Sequence, residues 1–293
     1  MLVKAFGKIN LTLEILNRKS DGYHNLRSLI APLSIHDTIE IKVLKNSTES
    51  FVTCDALELH GDRFNLVSMA IDLLREKYNF KEQFRITIYK RLFISAGLGG
   101  GSSDAAAVIL GIVKLLKLPA TKQELVKIAK KIGSDVPFFL ENKMALCEGI
   151  GDKITLIEKY SKYYVLLIKP HEGLSTKEVY QKYDELLELE KSEGEEKEKR
   201  KRIDYQKLMK LYENGKFKEF KKEAANDLYK PAKKLLPVIE KIKHILIADY
   251  GFSLVGMTGS GSCLYVVSKN KRELYKFMKE NFERYQIELT KIM

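Results

Sequence analysis

Tryptophan is absent from the 293 residues, proline occurs six times and cysteine three times. Cys54, Cys147 and Cys263 are scattered and form no C-x-x-C pair. That excludes a disulfide framework and a cysteine-based zinc site, and it fits a reducing cytoplasm. His24, His36, His60, His171 and His244 show no H-x-x-x-H spacing, so no built-in transition metal is expected. No apolar run approaches the roughly 18 residues that a membrane-crossing helix needs. Met1 to Lys8 alternates rather than forming the apolar core of a secretion leader, so none is expected. Acidic residues are in the minority, 39 against 51 basic ones, for a net charge of +12. The excess is spread over both halves and forms no basic arm. It suits a polyanionic small molecule as well as nucleic acid, and charge alone does not choose. With 45% apolar residues the chain can bury a sizeable core in one large or two ordinary domains.

What is present sorts into alternating and helical stretches. From Val3 to Ile15 the odd positions are apolar or glycine, while Lys4, Phe6, Lys8, Asn10, Thr12 and Glu14 take the even ones. This period of two predicts one continuous strand. Further strands are expected at 39–43, 84–89, 143–148, 163–169, 252–257 and 263–268. Helices are expected at 65–78, 105–116, 121–133, 205–214, 216–227, 232–249 (interrupted at Pro237) and 271–284. Thr121 with Glu124 has the spacing of a capping box. Strands and helices mix without regular alternation, which predicts an α+β fold, and a break near residue 157 gives two domains, 1–157 and 158–293. Residues 184–202 stand apart. Fourteen of these 19 are charged and none is aromatic, so they read as a solvated helical extension or a mobile insert, dispensable for activity.

The sharpest feature is the run from Ser95 to Ala107, Ser-Ala-Gly-Leu-Gly-Gly-Gly-Ser-Ser-Asp-Ala-Ala-Ala, between a strand and an apolar helix. Gly97, Gly99, Gly100 and Gly101 strip the turn of Cβ atoms, so backbone N–H groups can converge on one point. Ser102 and Ser103 stand where N-cap hydroxyls are expected, and the positive end of the helix faces the same point. Such geometry binds phosphate. No Gly-Lys-Ser/Thr follows, so this is not a Walker A loop, and Ser102 ends the pattern where a dinucleotide fingerprint needs glycine. Four weaker features accompany it: Lys8 and Asn10 on the polar face of the first strand; the turn Asp21-Gly22-Tyr23-His24; Asp135 in an apolar setting before Pro137; and a second small-residue loop from Gly256 to Ser262. Each alone also reads as ordinary structure.

Together these features resemble one family. Lys8 to Leu11, Gly97 to Ala106 and Gly259 to Ser262 are similar, in order and spacing, to the three motifs of the GHMP kinases. Arg18 to His24, Gly133 to Phe139 and Ser175 to Tyr180 resemble the branch acting on a cytidine diphosphate-linked methylerythritol. The resemblance implies a two-domain α+β fold with its site in the interdomain cleft, and ATP-dependent phosphorylation of that substrate's 2-hydroxyl. It implies ATP with Mg2+ supplied by the nucleotide, the phosphates held by Phe93, Ile94, Ser95, Ala96, Gly97, Leu98, Gly99, Gly100, Gly101, Ser102 and Ser103. It implies an adenine contact from Asn65, and Asp135 as the acceptor of the hydroxyl proton beside Lys8. Tyr23 and Tyr180 would sandwich the cytosine, with hydrogen bonds from His24 and Asn10. Phe93 departs from the family's usual proline, Gly7 from alanine and His36 from tyrosine. No nucleic acid, membrane or obligate protein partner is implied. Two other readings stay open: a GHMP kinase for mevalonate or homoserine, against which Asp21 to His24 argues, and a basic RNA-binding domain, for which no aromatic-rich signature is present.

Overall fold

The computed structural model describes residues 1–20, 22–56, 65–192 and 202–293; the side chains of Asn65 and Lys191 also lie outside the description. Two sheets organise the described residues. The first contains β1 (Leu2–Asn10), β2 (Glu14–Arg18), β3 (His24–Leu44), β4 (Phe51–Cys54), β5 (Gln83–Tyr89), β6 (Ala145–Gly149) and β7 (Lys153–Leu156). Its order is β4-β5-β3-β6-β7, with β1 and β2 also paired to β3. Helices α1 (Asn65–Tyr78), α2 (Gly100–Leu116), α3 (Lys122–Ile132) and α4 (Val136–Glu141) belong to this half. The second sheet runs β11-β8-β10-β9, from β8 (Tyr164–Lys169), β9 (Leu254–Met257), β10 (Leu264–Ser268) and β11 (Gln286–Lys291). Its helices are α5 (Thr176–Ser192), α6 (Tyr205–Glu213), α7 (Phe217–Glu223), α8 (Tyr229–Leu235), α9 (Val238–His244) and α10 (Lys271–Asn281).

Among the described residues, three apolar clusters hold the layers. Ile39, Ile41, Ile86 and Ile88 pack under Val67, Ala70 and Leu74 of α1 and under Ala105 to Ile109 and Ile112 of α2. This is why α2 is apolar almost all round. Between the sheets, Ile9, Leu29, Ala31 and Leu33 meet Val165, Leu167 and Tyr265. On the far side of the second sheet, Leu166, Ile168 and Val266 meet Ile239, Ile242 and Phe277. The alternate residues of β8 therefore enter different cores, and a strand buried on both faces reads as an unbroken apolar run.

The structure corrects several boundaries. The expected strand over 3–15 is two strands. After Asn10 the chain leaves the ladder, the Leu13 N–H donates to the Ala225 carbonyl (2.8 Å), and the Ile15 N–H donates to Asp227 Oδ2 (2.8 Å). The first sheet is thus tied to the second half. The strand expected at 39–43 is the end of a 21-residue strand. Pro32 sits inside it beside the register shift between Phe6 and Lys8, where a missing N–H is tolerated. The helix expected over 232–249 is split into α8, α9 and a π-helical turn, Ile245–Asp249, with the first break at Leu236–Pro237. The capping box at α3 forms as expected: the Glu124 N–H donates to Thr121 Oγ1 (3.3 Å) and the Thr121 N–H to Glu124 Oε2 (3.0 Å).

Candidate active site

A cleft of about 920 Å³ opens between the two halves. Lys8, Asn10, the Gly-rich loop and Asp135 line it from the first half, and Tyr180, Asp184 and Ser260 from the second. Lys8 and Asn10 share a face of β1 because they are two residues apart. That even-numbered face becomes buried where the strand ends: Lys8, Asn10 and Thr12 are all sequestered from solvent. A buried ammonium needs partners. Lys8 Nζ donates to Asn10 Oδ1 (2.6 Å) and stands 3.7 Å from Asp135 Oδ2. Asn10 in turn donates through Nδ2 to Ser28 Oγ (2.7 Å) and through its backbone N–H to Thr258 Oγ1 (3.1 Å), while the Thr258 hydroxyl donates to the Gly97 carbonyl (2.9 Å). One network therefore joins β1, the Gly-rich loop and the β9–β10 loop.

Asp135 occupies the N-cap position of α4 without making a side-chain capping bond. The second residue of that helix is Pro137, which has no N–H to offer. The carboxylate instead turns toward Lys8, and its side chain remains 35% exposed to the cleft.

The Gly-rich loop differs from its sequence reading in two ways. Helix α2 begins at Gly100 and is capped by Gly99, so Ser102 and Ser103 lie inside the first turn and are not caps. The Ser103 N–H already has a helical acceptor, the Gly99 carbonyl at 2.9 Å. The N–H groups of Gly100, Gly101 and Ser102 precede it, at the end of a helix where donors have no intrahelical partner, and all three residues line the cleft. The second difference concerns what the glycines are for. Gly97 and Gly99 have φ of +71° and +74°. A Cβ on Gly97 would overlap the Thr258 carbonyl, and one on Gly99 would come within 2.6 Å of the Phe139 ring. Those two glycines permit close protein packing; at Gly101 the nearest atom to an added Cβ is 3.7 Å away, on Leu66. Phe93, Ile94 and Ser95 line the entry, and Ala96 and Leu98 line the cleft while burying their side chains between the sheets.

Sequence reasoning missed a buried charge cluster at the loop's entry. Asp37, on β3, accepts the N–H groups of Arg91 (2.6 Å) and Leu92 (2.7 Å) and pairs with Lys90 Nζ. Lys90 also donates to Asp104 Oδ2 (2.9 Å) on α2. The entry that a proline would otherwise stiffen at Phe93 is thus pinned by Asp37. Burial is the largest influence on the Asp104 carboxyl and, against the pull of Lys90, pushes it up to about 7. Burial alone would lower the Lys90 ammonium, but Asp104 and Asp37 outweigh it and raise it. Asp104 Oδ1 and Ser103 Oγ are buried with no hydrogen-bond partner among the described residues. Lys90 and Asp104 are far apart in element and carry no shared motif, so only the tertiary fold reveals the cluster.

On the opposite wall, the His24 imidazole stacks on Tyr180, with centroids 5.0 Å apart and planes at 27°. Tyr23 stands at the rim, 66% exposed. Burial, and then the charge of Asp135, raise the Tyr180 hydroxyl above its ordinary range. The same two influences, in the same order, push the Cys147 thiol up to about 12. Asp184, which the sequence placed in the dispensable charged run, instead bonds His24 Nε2 (2.8 Å) from α5. Of that run, 185–192 continue α5 and 193–201 lie outside the described residues, as does Asp21. Asn65 opens α1, and its side chain is likewise outside the description.

The family models for the GHMP kinases N terminal domain and the GHMP kinases C terminal match residues 65–143 and 208–285. The chain is 36% identical to the 4-diphosphocytidyl-2-C-methyl-D-erythritol kinase of Caldicellulosiruptor saccharolyticus over 94% of its own length and 91% of that protein's. It is 43% identical to the enzyme of that name from Clostridium botulinum over 61% and 64% of the two chains. A crystal structure of 4-(cytidine 5'-diphospho)-2C-methyl-D-erythritol kinase superposes with a TM-score of 0.80 at 25% identity, covering 100% and 99%. Homoserine kinase from Cytophaga hutchinsonii superposes with a TM-score of 0.71 at 16% identity, covering 100% and 94%, which shows the shared fold alone. On sequence identity sustained over nearly its whole length, the chain belongs to the GHMP kinase family, in the branch of the 4-diphosphocytidyl-2-C-methyl-D-erythritol kinases.

Proposed function

We propose that this chain transfers a phosphoryl group from ATP to the 2-hydroxyl of 4-diphosphocytidyl-2-C-methyl-D-erythritol, a step in non-mevalonate isoprenoid precursor biosynthesis. The observation that carries the reading is the placement of the Lys8–Asp135 pair between the open start of α2 and the His24–Tyr180 wall. Phosphoryl transfer asks for alignment, neutralised charge and a path for the hydroxyl proton rather than covalent help. The N–H groups of Gly100, Gly101 and Ser102 suit the nucleotide phosphates, and the room beside Gly101 fits such a ligand. Asp135 accepts the substrate proton, and Lys8 offsets the charge that develops on the oxygen. Asn10 holds the Lys8 ammonium in place. The stacked His24 and Tyr180, with Tyr23 at the rim, receive the cytosine.

When bound, Mg2+ would supply further charge neutralisation on the phosphates. Such an ion commonly keeps several waters and binds through one or two carboxylates plus the phosphates. Asp104, whose Oδ1 is unpartnered among the described residues beside the start of α2, would meet that demand in its ionised form. We divide the chain at residue 157, with 1–157 carrying the nucleotide loop and 158–293 much of the substrate wall. A cytoplasmic setting suits the three free cysteines. The test is product analysis: phosphorus NMR of a reaction with ATP and the cytidine substrate should show ADP and one new phosphomonoester on the 2-carbon. ATP hydrolysis without that phosphomonoester would contradict the assignment.

A further inference from the structure

Asp184 lies one helical turn beyond Tyr180 on α5, so both side chains reach the same wall of the cleft. Its two carboxylate oxygens have different partners. Oδ1 is 2.8 Å from His24 Nε2, and Oδ2 is 3.3 Å from Arg18 Nη1. The His24 side chain is 6% exposed and the Asp184 side chain 21%. An ionised carboxylate only accepts hydrogen bonds, so the 2.8 Å contact requires the proton on Nε2. In the neutral imidazole the lone pair then falls on Nδ1. The ring is also fixed in orientation, stacked on Tyr180 and edge-on to Tyr183 at 5.9 Å and 87°.

From this arrangement we infer that Asp184 is a positioning residue for base recognition, committing His24 to the Nε2–H form so that the ring meets a pyrimidine as an acceptor. The inference rests on the proposed cytidine site. With Nε2 occupied, any hydrogen bond from the neutral ring to a ligand runs through Nδ1. Cytosine carries an amine donor at position 4, where uracil carries a carbonyl oxygen. An acceptor in the wall favours the first and repels the second. Stacking on Tyr180 cannot make that distinction, because both bases present similar faces. Arg18 serves differently: it holds the second oxygen and so keeps the carboxylate aimed at the imidazole.

The test uses the full-length protein and two readings. Nitrogen-15 NMR of His24 reports which ring nitrogen carries the proton, without any ligand. The wild type should show the Nε2–H form, and Asp184→Asn, whose amide can either accept or donate, should show a mixture of both forms. Calorimetry with cytidine 5'-diphosphate and uridine 5'-diphosphate then measures the preference for cytosine. Asp184→Asn should reduce that preference by about tenfold, the worth of one hydrogen bond near the upper end of the usual net range. In turnover the same variant should raise KM for the cytidine substrate much more than it lowers kcat, with KM for ATP nearly unmoved. A proton on Nδ1 in the wild type, in the neutral or the doubly protonated ring, overturns the inference, even if the variant fails to fold. An unmoved cytosine preference in folded Asp184→Asn also overturns it and leaves the cytidine site standing. Failure of the wild type to bind cytidine 5'-diphosphate overturns both.

Discussion

Removing the Asp135 carboxylate by Asp135→Asn, while keeping its shape, tests the chemistry assigned to the cleft. Lys8 Nζ and Asp135 Oδ2 are 3.7 Å apart. At that separation two unit charges attract by roughly 4–5 kcal/mol for an effective dielectric of about 20 and by about 1 kcal/mol in water. Lys8 is buried and Asp135 is one-third open, so the pair lies between these limits. Loss of the proton acceptor should cost at least about 10²-fold in kcat, the usual lower bound for general-base catalysis. Lys8→Met leaves Asp135 without its counter-charge and Asn10 Oδ1 without its 2.6 Å donor, and should cost a similar factor. The double variant should lose far less than the product of the two, because each residue acts through the other. The assay is kcat with both substrates saturating, accompanied by ATP affinity from calorimetry to show that the nucleotide site is intact. Near wild-type kcat in Asp135→Asn would refute the role, and full additivity of the two losses would refute the coupling.

Three further outcomes are expected. Gly97→Ala should lower stability by more than about 1–2 kcal/mol, the cost of a left-handed non-glycine residue alone, with the Thr258 overlap added; Gly101→Ala should not lower Tm, and an unchanged Tm in Gly97→Ala would contradict the packing account. Because the Asp104 carboxyl is raised to about 7 when folded from 3.8, the folded state binds its proton more tightly, and wild-type stability should fall from about pH 4 to pH 7 relative to Asp104→Asn; parallel stability curves for the two proteins across that window would count against it. Tyr180→Ala should raise KM for the cytidine substrate by about tenfold or more, the worth of one base stack, and spare KM for ATP; equal damage to both would assign Tyr180 to packing.

The parts of the site that are contiguous in sequence were legible before the fold was known. The run from Ser95 to Ala107 announces a glycine-walled turn at a helix start, and the alternation of β1 puts Lys8 beside Asn10. What the turn does in detail was not legible. That Gly97 yields to the Thr258 carbonyl depends on a loop 161 residues away. The Asp37–Lys90–Asp104 cluster is assembled from β3, the segment after β5 and α2, and its burial is a property of packing rather than of any local pattern. Asp184 was concealed by composition, since a carboxylate in a run of charges looks solvated until a histidine is found opposite it. Strand β3 was seen only at its end, because its middle is apolar on both faces and holds Pro32, which the register shift accommodates.

The most direct measurement of the central claim is kcat/KM for phosphoryl transfer from ATP to 4-diphosphocytidyl-2-C-methyl-D-erythritol, with mevalonate and homoserine run in parallel. The cleft, with its stacked His24 and Tyr180 wall beside Lys8 and Asp135, predicts efficient turnover of the cytidine compound and rates at least about 10³-fold lower for the two small acceptors, which leave the base site empty. Comparable kcat/KM for all three, or turnover of mevalonate or homoserine alone, would contradict it.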